Sequence, residues 1–134
     1  MNIYLVLSIL FVHWIADFVV QTDKQAKEKS SNNWQLTRHV GSYTLCFYIA
    51  FALFAAYQNH FGHLSASDLG LDPTICFFFP ITFVCHWITD YVTSRINAIL
   101  WRDKRVHLFF VSVGFDQFIH FAQLLITFKI LSNL

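Results

Sequence analysis

Four apolar runs, approximately residues 2–20, 40–57, 74–94 and 106–128, divide the chain. Stretches such as IYLVLSILFV and ICFFFPITFV are apolar around their whole circumference. A helix of a soluble bundle would show a polar face at helical spacing, and crossing a bilayer takes about 20 mostly apolar residues. The pattern predicts an all-α polytopic membrane protein, a single domain over 1–134, with four transmembrane helices at about 2–22, 38–57, 74–100 and 106–130. The polar stretch QTDKQAKEK is rich in helix formers and is expected to prolong helix one beyond the membrane. Pro73 suits the first turn of helix three, whereas Pro80 is expected to kink its interior. No basic residues precede the first run and no small-residue cleavage pattern follows it, so it reads as a retained helix rather than a signal peptide.

Charge orients these helices. Of nine Lys and Arg residues, Lys24, Lys27, Lys29 and Arg38 lie between runs one and two, and Arg95, Arg102, Lys104 and Arg105 between runs three and four. The connection 58–73 has Asp68 and Asp72 but no lysine or arginine. By the positive-inside rule, the basic loops 23–38 and 95–105 face the cytoplasm of what would be a bacterial inner membrane, and both termini lie outside. Composition agrees: 56% of the residues are hydrophobic, 13% charged and sixteen are phenylalanine, where soluble domains carry roughly a quarter charged residues. Cys46, Cys76 and Cys85 lack paired spacing and read as buried, inert thiols.

Within this oily background the pentapeptides HWIAD (13–17) and HWITD (86–90) nearly repeat. They make helices one and three equivalent in direction and suggest two hairpins related by a pseudo-twofold axis. His13 with Asp17, and His86 with Asp90, share a helix face. Helix four carries the pair reversed, as Asp116 and His120 in DQFIH. Because helix four runs the other way, reversal restores the same vertical order, with histidine nearer the bilayer centre. A hairpin turning at Asp103 sets 90 opposite 116 and 86 opposite 120, with the two layers about 6 Å apart. A turn near Glu28 brings His39 level with Asp17.

An intramembrane aspartate costs roughly 2.5–3.5 kcal/mol, more than the about 0.6 kcal/mol typical of an interhelical hydrogen bond. Glue between helices is therefore a poor account of three of them. The donor types suit a divalent metal, zinc first, with manganese or iron as alternatives. The candidate ligands are His13, Asp17, His39, His86, Asp90, Asp116 and His120, holding one ion or two bridged by carboxylate. Gln21, Ser94 and Gln117 are candidates to hydrogen-bond those ligands from behind. His60 and His63 read as solvated loop residues, His107 as interfacial, and Trp14 and Trp87 as packing or lipid contacts.

HWIADFVVQTD, His39, HWITD and FDQFIH together resemble a family of small bacterial and phage membrane proteins catalogued as a domain of unknown function. The resemblance spans essentially the whole chain and implies a compact helical membrane protein, but no activity. More loosely, the chain is similar to membrane-bound metal-dependent hydrolases in residue type. Three functions follow. One is a metal-dependent hydrolase of a lipid or amphiphile, with Asp17 and Asp90 as candidate bases. The second is a proton or divalent-metal transporter, which at this size would act as a homo-oligomer. The third is a non-catalytic phage membrane factor clamped by a structural metal. Membrane lipids are the expected partners, and no nucleic acid is.

Overall fold

In the computed structural model, which describes residues 3–61 and 76–132, helix α1 spans Ile3–Trp14 and continues as a π-helical turn over Ile15–Val19. The wider turn is closed by Val20 N–H donating to Ile15 O at 2.9 Å, five residues back. Helix α1 stops there, short of the expected Thr22. The cause is a capping box: the Thr22 hydroxyl accepts from Gln25 N, and Gln25 Oε1 accepts from Thr22 N at 2.8 Å. It starts a separate short helix, α2 (Asp23–Glu28), in place of an extension of α1.

Helix α3 covers Asn33–Phe61. It begins earlier than the apolar run because Asn32 Oδ1 accepts from the free N–H groups of Trp34 (2.9 Å) and Gln35 (3.4 Å). Helix α4 covers Phe78–Arg102. Its start places Pro80 in the first turn, where a missing N–H costs nothing, rather than in the helix interior as expected. Pro73, Asp68, Asp72 and His63 lie outside the described residues. Helix α5 covers Val106–Leu131.

The α4–α5 turn is tight. Arg105 N–H donates to Leu100 O and Lys104 N–H to Trp101 O, the paired bonds of a Schellman motif. Lys104 occupies its left-handed position, φ 56°, where glycine is usual. An L side chain there costs about 1–2 kcal/mol. Lys104→Gly is therefore expected to stabilise the protein by about 1 kcal/mol, read as a higher unfolding midpoint. A lower midpoint would show that the lysine makes compensating contacts.

The four long helices close a ring: α1 and α4 each pack against both α3 and α5. The two helices that carry the repeated pentapeptide therefore face each other across a diagonal. One half of the interior is apolar, with Ile9, Phe47, Phe78, Leu124 and Phe128 buried together. Moving along the bundle, each helix then changes from apolar to histidine to aspartate or amide. The succession is Ile9, His13, Asp17 on α1; Phe47, Tyr43, His39, Gln35 on α3; Phe78, Thr82, His86, Asp90 on α4; and Leu124, His120, Asp116 on α5. Large side chains such as Phe11, Leu53, Phe110 and Phe118 point outward.

Two helices, Asn33–Gln58 and Val106–Leu131, are long and apolar enough to cross a membrane, rather than the four expected. The apolar stretch Ile3–Val19 is shorter, and the cap at Thr22 starts a separate helix beyond it. Helix α4 is diluted by Asp90, Arg95 and Arg102. The described cysteines are unpaired and none is buried; Cys76 is exposed, contrary to the expected buried thiols.

Candidate metal centre

Helix polarity brings the histidine and aspartate levels into a single cluster. Cα–Cβ bonds tilt toward a helix N-terminus. The aspartates of α1 and α4 therefore lean toward the histidine level, while the histidines of α3 and α5 lean toward the aspartates. The layers expected about 6 Å apart along the helix merge, and the side chains interleave. The π turn, a distortion common at functional sites, includes Asp17 and sets its direction.

Four buried residues, Asp17, His39, His86 and Asp90, place one donor atom each within 4.8 Å of the others. Asp17 Oδ1 lies 3.0 Å from His39 Nε2 and 3.5 Å from His86 Nε2. His39 Nε2 lies 3.3 Å from His86 Nε2 and 3.3 Å from Asp90 Oδ2. His86 Nε2 is 3.6 Å from Asp90 Oδ2. A tetrahedral ion with bonds of about 2.0–2.1 Å spaces its donors roughly 3.3–3.4 Å apart, and these five edges cluster around that value. Hydrogen bonding alone accounts for them poorly. Each Nε2 carries at most one proton, yet His39 Nε2 meets two carboxylates and another ring nitrogen at once. The donor set fits a divalent cation.

A second buried group shares Asp90. His120 Nε2 lies 3.2 Å from Asp90 Oδ1 and 3.4 Å from Asp116 Oδ1, and the three residues again have donors within 4.8 Å. The register expected of the hairpin holds here, since His86 and His120 stack with ring centroids 4.1 Å apart. His39 is level with Asp17, as the spacing predicts.

His13 stands outside both groups. Its Nε2 lies 2.9 Å from Gln117 Oε1 and its Nδ1 2.7 Å from Tyr43 Oη. Gln117 Nε2 donates to Asp17 Oδ2 and to Asp116 Oδ2, both at 3.1 Å. That orients the amide, because only its nitrogen can donate to two carboxylates. His13 Nε2 therefore donates to Gln117 Oε1. Gln21 Nε2 lies 3.2 Å from His39 Nδ1. The buried Ser94 hydroxyl has no hydrogen-bond partner among the described residues.

Three side chains at the cluster escape the sequence reading. Lys29 Nζ donates to Asp90 Oδ2 at 2.8 Å. Burial opposes its charge, but Asp90 and Asp17 outweigh burial and hold its pKa above the ordinary lysine value. The T-x-x-Q cap at Thr22 is the signal that could have placed it, because α2 carries Lys29 at its C-terminal end. Tyr43, one helical turn beyond His39, lies against His86 with centroids 3.9 Å apart. Thr93 Oγ1, one turn beyond Asp90, donates to Asp116 Oδ1 at 2.6 Å. Arg95 is engaged away from the cluster, with Asn33 Oδ1 at 2.7 Å and the Tyr91 ring. Trp87 Nε1 donates to Thr37 Oγ1 at 3.1 Å, away from the cluster.

The comparisons with known proteins add family membership and no activity. A family model described as protein of unknown function (DUF3307) matches residues 5–134, and the chain belongs to that family. No curated protein and no solved structure matches it.

Proposed function

We propose, for this member of a family without an assigned activity, an integral membrane protein that binds a divalent transition metal at Asp17, His39, His86 and Asp90 and hydrolyses a lipid or other amphiphile. The single observation that carries this reading is the close spacing of those four donors, with five edges at 3.0–3.6 Å. Two imidazoles and two carboxylates favour zinc, with manganese or iron as alternatives. All four long helices cross the bilayer in this reading, with the basic loops cytoplasmic. Support comes from the outward-facing apolar side chains on every long helix around an interior that concentrates the acids and imidazoles. Lipid is the partner that such an exterior fits.

The ion would supply a Lewis acid that lowers the pKa of a water toward about 7. The chain's own residues arrange the rest. Asp17 keeps Oδ2 outside the four-donor set, where the Gln117 amide orients it and where it is placed to accept a proton. Lys29 presents the adjoining positive charge. Gln21 holds the second nitrogen of His39.

Transport of protons or metal is the second reading. It draws on the buried His86 Nδ1 and Thr82 Oγ1, which have no partner among the described residues and line a small cavity with Tyr43, His120 and Gln123. One preparation tests both readings. Purified protein should retain zinc on elemental analysis, His39→Gln should lose most of it, and the wild type should turn over an ester amphiphile in detergent. Zinc-loaded protein that cleaves no amphiphile but carries zinc or protons across proteoliposomes would replace the hydrolase with a transporter. Metal content unaffected by His39→Gln would remove the site.

A further inference from the structure

We infer that Asp90 is a bridging carboxylate, and that Asp90, Asp116 and His120 hold a second divalent cation beside the first. This rests on the proposed ion at Asp17, His39, His86 and Asp90. The two oxygens of Asp90 face different donor sets. Oδ2 meets His39 Nε2 at 3.3 Å and His86 Nε2 at 3.6 Å, while Oδ1 meets His120 Nε2 at 3.2 Å. The remaining measured edge, His120 Nε2 to Asp116 Oδ1, is 3.4 Å. Both edges match the roughly 3.3–3.4 Å spacing of donors around one zinc-sized ion. One carboxylate that supplies one oxygen to each of two such sets is how hydrolytic centres hold ions about 3.5–4 Å apart.

The surroundings treat Asp116 as a ligand to be aimed. Thr93 donates to its Oδ1 at 2.6 Å and Gln117 to its Oδ2 at 3.1 Å. Asp116 and His120 are both buried, on helix α5. The stacked rings of His86 and His120 set the two donor groups side by side.

Charge then selects the substrate class. Three carboxylates face one ammonium, Lys29. One divalent ion neutralises that excess, and a second leaves the centre positive. A centre of that charge, with Lys29 at its edge, is complementary to an anionic group, and the substrate it fits is a phosphate ester.

The test counts ions and does not depend on turnover. Metal-stripped protein in detergent is titrated with Mn(II) and followed by elemental analysis and electron paramagnetic resonance. Wild type should bind two equivalents with a spin-coupled spectrum. His120→Gln and Asp116→Asn should each bind one, with the uncoupled spectrum of a single ion. No bound metal would overturn the metal reading itself. One equivalent in the wild type, or two without coupling, would overturn the bridge and leave the first site standing. If either variant fails to fold, the coupling in the wild-type protein decides alone. Inorganic phosphate and nanodiscs containing phosphatidate are the anion probes, and either should bind the two-ion protein at least about tenfold tighter than the one-ion variants, through the added positive charge. Tighter binding of phosphatidate assigns a lipid headgroup, and equal binding a soluble phosphate ester. Binding of neither overturns the substrate class.

Discussion

Asp90→Asn is expected to destabilise the protein by breaking a buried ion pair from one side. This one carboxylate meets Lys29 Nζ at 2.8 Å, His120 Nε2 at 3.2 Å, His39 Nε2 at 3.3 Å and His86 Nε2 at 3.6 Å. Asparagine nearly matches its shape, so packing is preserved and only charge and acceptor capacity change. The ammonium of Lys29 then sits against the cluster without its nearest anion. Breaking a buried ion pair from one side costs about 3–5 kcal/mol. Partial exposure of Lys29 places the expected loss near the lower end, about 3 kcal/mol. The double variant Lys29→Met, Asp90→Asn should recover a substantial part, because it removes the stranded charge. Reversible unfolding of the four proteins in one detergent, with chelator present, gives the coupling energy. Additive single and double effects would mean that Lys29 and Asp90 act independently.

Much of this cluster was legible from residue order because helix geometry is so regular. The reversed pair Asp116–His120 made sense only if α5 ran antiparallel to α4, and the pairing of His86 with His120 follows from a turn at Asp103. His39 beside Asp17 followed from simple counting. What failed was set by local effects that hydropathy does not record. The cap at Thr22 ended α1 and began α2, and Asn32 started α3 at Asn33, five residues before the helix start expected at 38. A count of apolar residues is blind to both. The merging of the two layers was also hidden, because residue rise fixes Cα heights but not the lean of side chains. Lys29 was missed for a different reason: it lies on a polar linker with no hydrophobic periodicity, where the T-x-x-Q cap is the one signal of its path. The four-span expectation exceeded what length and composition alone support, since Asp90, Arg95 and Arg102 dilute the hydropathy of α4.

Gln117→Glu is the complementary perturbation, and its sign depends on whether a cation is present. The native amide donates to Asp17 and Asp116, each at 3.1 Å, and accepts from His13 Nε2. Glutamate keeps the acceptor and the shape but removes both donors. It also sets a further carboxylate between two existing ones. Without metal the expected cost is about 3–5 kcal/mol: two lost charge-assisted hydrogen bonds at about 1.5–3 kcal/mol each, less whatever the carboxyl recovers by protonation. Gln117→Met, which loses the donors but adds no charge, should cost less. Excess zinc should reverse that order, because a cation offsets the added charge yet cannot replace a missing hydrogen bond. The measurement is the unfolding midpoint of the three proteins with chelator and with zinc. A ligand at about 100 times its dissociation constant stabilises the folded state by about 2.7 kcal/mol, enough to resolve the two variants. If glutamate and methionine respond alike in both conditions, charge at this position is immaterial, and Gln117 serves the cluster through packing alone.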